Sequence, residues 1–159
     1  MSEPFDLPEV IDYSALLVSS FARMTGESSL MPTGKNLARE LYTAPFAVVS
    51  HGTEADPIFR YANRTALELW QMTWAEFTLL PSRFSVEEML LEERERLLAE
   101  TSRKGYVDTY EGVRIAKDGQ RFTIKNTILW NVEDEQGVRY GQACVIRDWD
   151  FLPIALELK

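Results

Sequence analysis

Residues 57–70 read Pro-Ile-Phe-Arg-Tyr-Ala-Asn-Arg-Thr-Ala-Leu-Glu-Leu-Trp. They spell a short strand, 58–62, that turns directly into a helix at Asn63. Asn is among the best N-caps, because its side-chain oxygen accepts one of the unpaired first-turn N–H groups. Ala66, Leu67, Leu69 and Trp70 then put an apolar stripe on one side of the helix. Just upstream, 46–50 is a run of β-formers and reads as a buried strand. Residues 51–57 form its turn, so 58–62 is expected to return antiparallel as a hairpin.

Downstream, Thr73-Trp74-Ala75-Glu76 has the form of a capping box, and Pro81 breaks the chain. A longer helix is expected within 85–103, with Ser85 and Glu88 as a capping box or a start nearer Met89. Its Leu90, Leu97 and Leu98 face inward, and Glu92, Glu93, Arg94, Glu95 and Arg96 face water. Gly105 suits its C-cap. A meander follows: strands 106–116, 121–132 and 138–149, joined by Lys117-Asp118-Gly119 and a polar turn at 133–137. Upstream, residues 1–10 read as a loose lead-in. Tyr13, Leu16, Leu17, Phe21 and Met24 mark an amphipathic helix that Gly26 ends, and 37–42 a second, short one.

Strand 121–132 alternates clearly. Phe122, Ile124, Asn126, Ile128, Trp130 and Val132 lie on one face; Arg121, Thr123, Lys125, Thr127 and Asn131 lie on the other, interrupted only by Leu129. Alternation at period two gives one face to a core and the other to solvent or a partner. Asn126 stands among apolar neighbours, and a buried amide requires a partner: backbone, side chain, water or ligand.

The chain has 159 residues, enough for one domain with a real core. Its net charge of −8 argues against nucleic-acid and anionic-membrane partners, which attract basic patches. No apolar run approaches a membrane span, the N-terminus is acidic, and Cys144 stands alone, all of which fit a reducing cytoplasm.

Hairpin, short helices, one longer helix and a three-strand meander together resemble the PAS fold. The segments Leu-Tyr-Thr-Ala-Pro-Phe (41–46), Ser-His-Gly-Thr (50–53), Asp-Pro-Ile-Phe-Arg-Tyr-Ala-Asn-Arg (56–64), Leu-Glu-Leu-Trp (67–70), Leu-Pro-Ser-Arg (80–83) and Gly-Gln-Ala (141–143) are similar to the MEKHLA domain, a PAS-like family. The resemblance implies an α+β domain over 41–150: a five-stranded antiparallel sheet with helices on one face and a cavity between them. Residues 1–40 would be an N-terminal helical extension and 151–159 a tail. It also implies a regulatory sensing or interaction module without enzymatic activity. Such a module would bind a small, mostly apolar molecule and signal through a homodimer or a partner protein. Helix 13–24 and the open sheet face are the candidate surfaces. A purely structural dimerisation module and a small cavity enzyme are the alternatives.

Candidate ligand contacts in that cavity are Asn126, Trp130, Phe122, Ile128, His51, Phe59 and Trp70. His51, the only histidine, sits in a turn; it either bonds a backbone group or faces the pocket. Spacing does not pair it with Cys144, which reads as a small buried hydrophobe. The Asn-Cys-Arg-Phe motif of flavin-binding light sensors is absent. Helix 85–103 offers no His for haem, so the cofactor, if any, is left unidentified. The glutamates at 87–95 mix with Arg94 and Arg96 and read as a solvated face.

Overall fold

The computed structural model describes residues 3–27, 36–87 and 90–153. The N-terminal lead-in is more ordered than its composition suggests. Residues Pro4–Asp6 form a 3-10 turn, and Pro8 opens helix α1, Pro8–Thr25. Proline is well placed at the first helical position, where its missing N–H costs nothing. Gly26 closes α1 in the left-handed region, φ 77°, with its N–H on Ala22 O. Helix α2, Leu37–Tyr42, leads into strand β1, Ala47–His51, and strand β2, Phe59–Ala62. The two strands pair antiparallel, Val49 opposite Ala62. Helix α3, Arg64–Trp70, starts on the Asn63 cap. Helix α4, Trp74–Phe77, carries both halves of its capping box: Thr73 Oγ1 accepts from Glu76 N, and Glu76 Oε1 accepts from Thr73 N.

Helix α5, Leu91–Lys104, begins later than the spacing predicts, because Ser82–Ser85 forms a 3-10 turn of its own. Ser85 Oγ donates to Ser82 O at 2.7 Å. The remaining members of the expected start, Glu88 and Met89, lie outside the described residues. Gly105 closes α5, its N–H on Thr101 O.

Strands β3, Tyr106–Ile115, β4, Arg121–Glu133, and β5, Arg139–Ile146, form the meander. The sheet runs β2-β1-β5-β4-β3, antiparallel throughout. The expected strand 138–149 is broken at Arg147. Its second part, β6, Asp148–Phe151, pairs with β4 alone.

The break has a counterpart across the ladder. Ile128 pairs with Val145 and Lys125 with Asp148, and between them Asn126 adopts φ 50°. A residue in this left-handed conformation interrupts the pleat, so side chains beyond it change faces. Before it, Phe122 and Ile124 face the core that holds Phe59, Trp70, Phe77 and Ile146. After it, Ile128, Trp130 and Val132 face the opposite core, with Val48, Tyr61 and Val145 under α1. Both anomalies of the sequence pattern follow: Asn126 is exposed at the kink, and Leu129 is buried on the face shared with Ile124.

Helices α3, α4 and α5 therefore cover one face of the sheet, and α1 covers the other. The apolar side of α1, Val10, Tyr13, Leu17 and Phe21, is spent on this packing. Polar pairs fix it in place. Trp130 Nε1 donates to Ser20 Oγ at 3.0 Å, and the Tyr13 and Ser50 hydroxyls meet at 2.7 Å. Helix 13–24 and the sheet face against it, both expected to be open surfaces, bury each other. No helix among the described residues is long and apolar enough to cross a membrane.

Candidate functional site

Between α5 and the inner sheet face lies a cavity of about 60 Å³. The strands supply an apolar floor: Val49 from β1, Phe59 from β2, Ile124 and Leu129 from β4, Ile146 from β5. Leu129 reaches it only because of the kink at Asn126. The remaining walls mix polar side chains, Ser50, His51, Ser82, Ser85, Arg94, Arg114 and Gln142, with Trp70, Leu98, Ala143 and Cys144. The volume falls well below the roughly 300–1,000 Å³ of drug-sized sites, so the guest it suits is compact. A second, outer cleft of about 290 Å³ shares His51, Arg94, Leu98 and Gln142 with the cavity. These four residues line both spaces.

Arg94 is the unexpected member. It lies within a run of charged residues on α5, yet it is only 5% exposed. Its Nη1 donates to Glu95 Oε2 at 3.0 Å, and its Nη2 donates to Ser82 Oγ. Glu95 itself is 70% exposed, which dilutes the pair's Coulomb energy. Burial lowers the Arg94 pKa; Glu95 opposes the shift and repulsion from Arg114 adds to it. Arg114, on β3, donates from Nη1 to Val113 O at 2.9 Å and lies over the Tyr110 ring. Among the described residues no carboxylate pairs with it.

His51 sits at the end of β1 with Nδ1 3.0 Å from Gly52 O. A carbonyl oxygen only accepts, so Nδ1 carries the hydrogen and Nε2 is left as a bare acceptor. That Nε2 is buried without a partner. Burial lowers the His51 pKa; the bond to Gly52 opposes this and the Arg94 charge reinforces it. The ring is thus neutral at pH 7. Gly141 lets β5 approach here: a Cβ on it would come within 2.0 Å of His51 O. Gln142 Nε2 donates to Leu98 O at 3.0 Å, tying β5 to α5, and to Asn131 Oδ1 of β4 at 3.1 Å.

The fold brings Cys144 and His51 to one cavity, which their spacing does not suggest. Burial nevertheless pushes the Cys144 thiol up to about 12, with a smaller opposite effect from Arg114. At neutral pH it is a protonated thiol and a poor nucleophile. The arrangement is suited to binding: two guanidinium groups, a neutral imidazole and an apolar floor. Among the described residues no His, Cys, Asp and Glu cluster could hold a metal ion.

Of the seven expected contacts, His51, Phe59 and Trp70 line the cavity. Phe122 packs edge-on against Trp70, ring centroids 5.1 Å apart, on the same side of the sheet. Trp130 and Ile128 point to the other face, under α1. Asn126 is exposed and away from the cavity. The cause is the φ reversal at Asn126, which shifts every later side chain of β4 by one face. The alternation did not disclose Arg94, Arg114, Ser82, Ser85 and Gln142. The signals that the register slips were Leu129 on the polar face and Asn126 on the apolar one.

The profile of the MEKHLA domain matches residues 11–151. No curated protein matches the chain at a significant level. Solved structures share its fold at low identity. A PAS domain from Colwellia psychrerythraea superposes with a TM-score of 0.62 at 16% identity, covering 72% of this chain and 94% of that one. The light-state dimer of the fungal blue-light photoreceptor Vivid gives 0.62 at 19%, covering 86% and 94%. A PAS domain from a two-component sensor histidine kinase gives 0.53 at 16%, covering 67% and 87%. The kinked sheet, the helices over its inner face and the profile match over most of the length agree: this chain belongs to the MEKHLA domain family and has the PAS fold.

Proposed function

We propose that this chain is a sensory module without enzymatic activity, which takes a small molecule into the α5–sheet cavity and passes the change to a second copy or a partner protein. One observation carries the reading. A small hollow lined by a nearly inaccessible arginine shares His51, Arg94, Leu98 and Gln142 with an outer cleft. A guest would contact α5 through Arg94 and Leu98 and the sheet through Leu129 and Ile146. Occupancy therefore favours one packing of α5 on the sheet over another, a population shift set by differential affinity. Among the fold neighbours, Vivid forms a light-state dimer, and another is part of a sensor histidine kinase. These support transmission by association. Exposed apolar side chains at Leu79, Phe84 and Phe151 offer surface for it.

The test is a native mass spectrum of the full chain with a sedimentation profile over a dilution series. An added small mass, and an association state that changes when it is stripped, support the reading. A bare chain whose size ignores every ligand offered supports a structural module instead.

A further inference from the structure

The geometry points to a short hydroxycarboxylate as the guest of the inner cavity, its carboxylate on Arg94 and Arg114 and its hydroxyl on His51 Nε2. This rests on the sensory reading above and names the chemistry of that same site.

The charge balance of the cavity is opposite to that of the chain. The chain carries −8 overall, yet the cavity is lined by two arginines and no acidic residue. Burying a guanidinium is expensive unless it is paired. Among the described residues Arg94 uses two of its five donors, one of them on a carboxylate that faces solvent. Arg114 uses one, on a backbone carbonyl. A carboxylate reaching the buried Arg94 and the half-buried Arg114 would bind them through charge-assisted bonds, which are the strong kind. The indole N–H of Trp70, also lining the cavity, is buried without an acceptor.

The imidazole has the opposite deficit. His51 Nε2 is an acceptor without a donor, because Nδ1 is committed to Gly52 O. A simple fatty acid brings no donor to it. A hydroxyl does, and it then satisfies a group whose burial otherwise costs free energy. Size and lining restrict the guest further. About 60 Å³ above Val49, Ile124, Leu129 and Ile146 admits an acid of a few carbons and excludes large ring systems.

The experiment is titration calorimetry of the full chain at pH 7.5 with lactate, propionate, lactamide and inorganic phosphate. Lactate binds; propionate, lacking the hydroxyl, binds about tenfold more weakly, the worth of one hydrogen bond. Lactamide, lacking the charge, gives no heat, and phosphate is weaker than lactate. Arg114→Gln lowers lactate affinity at least about tenfold, with its folded circular dichroism spectrum retained. Equal binding of lactamide overturns the carboxylate assignment. Equal binding of propionate overturns the role of His51, and tighter phosphate overturns the organic acid. A neutral or larger molecule found in the cavity by native mass spectrometry, with no heat from lactate, overturns this inference and leaves the sensory reading standing. No heat and no added mass overturn both.

Discussion

The side-chain amide of Asn63 donates to the carbonyl oxygen of Phe46 at 2.7 Å, joining the entrance of β1 to the start of α3. The same nitrogen donates to Leu41 O at 3.0 Å, and Oδ1 accepts from Val48 N and Ala66 N. Fully buried, Asn63 thus ties α2, β1 and α3 with all its hydrogen-bonding capacity. Asn63→Ala removes a helix cap and strands buried groups on three segments. The expected loss is about 3–4 kcal/mol by urea denaturation. A loss under about 1 kcal/mol would mean the corner does not depend on this residue.

The kink in β4 makes its own prediction. Asn is one of few non-glycine residues that tolerate φ 50°, and a β-branched residue is strained there. Asn126→Val should cost about 1–3 kcal/mol, and Asn126→Gly should stay within about 0.5 kcal/mol. Equal effects of the two would contradict the left-handed geometry.

These two asparagines mark what the sequence disclosed and what it withheld. Asn63 was legible because capping is local: cap, strand and helix lie within a dozen residues, as do the Thr73 box and the Gly26 and Gly105 caps. The role of Asn126 was not, because a perfect period of two says nothing about where the pleat is interrupted. Its composition did hold the clue, a polar residue on the apolar face and Leu129 on the polar one. Arg94 was illegible for another reason. Neighbours on α5 are charged and solvated, and only the three-dimensional approach of the 3-10 turn at Ser82–Ser85 encloses it. Two of the seven expected ligand contacts, Ile128 and Trp130, therefore lie on the opposite face of the sheet, although the fold itself was readable.

The docking of α1 rests on few polar contacts. Ser20→Ala removes the acceptor of the buried Trp130 indole N–H at nearly constant volume. An expected loss of about 1–3 kcal/mol follows from the unpaired donor. Thermal unfolding of the variant checks it, and an unchanged melting temperature would show that α1 is not held through Trp130.

Stability should depend on pH through a single imidazole. The His51 pKa is lowered in the folded state, so below about 6.5 the unfolded chain binds a proton that the folded chain resists. Its contribution is full above pH 6.5 and declines as pH falls, by at most about 1.4 kcal/mol per pH unit. Because the chain has one histidine, His51→Gln should flatten the slope between pH 6.5 and 5.5. Identical slopes for variant and parent would place the titration elsewhere.

The hollow itself can be measured without knowing its guest. Cys144 lines the cavity from β5, so Cys144→Leu adds methylene volume directly into it. In a filled core such an enlargement costs about 1–3 kcal/mol. Chemical denaturation should find Cys144→Leu within about 0.5 kcal/mol of the parent or more stable, because the added carbons gain contacts in empty space. A loss above about 2 kcal/mol would show that the space is already closed, and the sensory reading would fall with it.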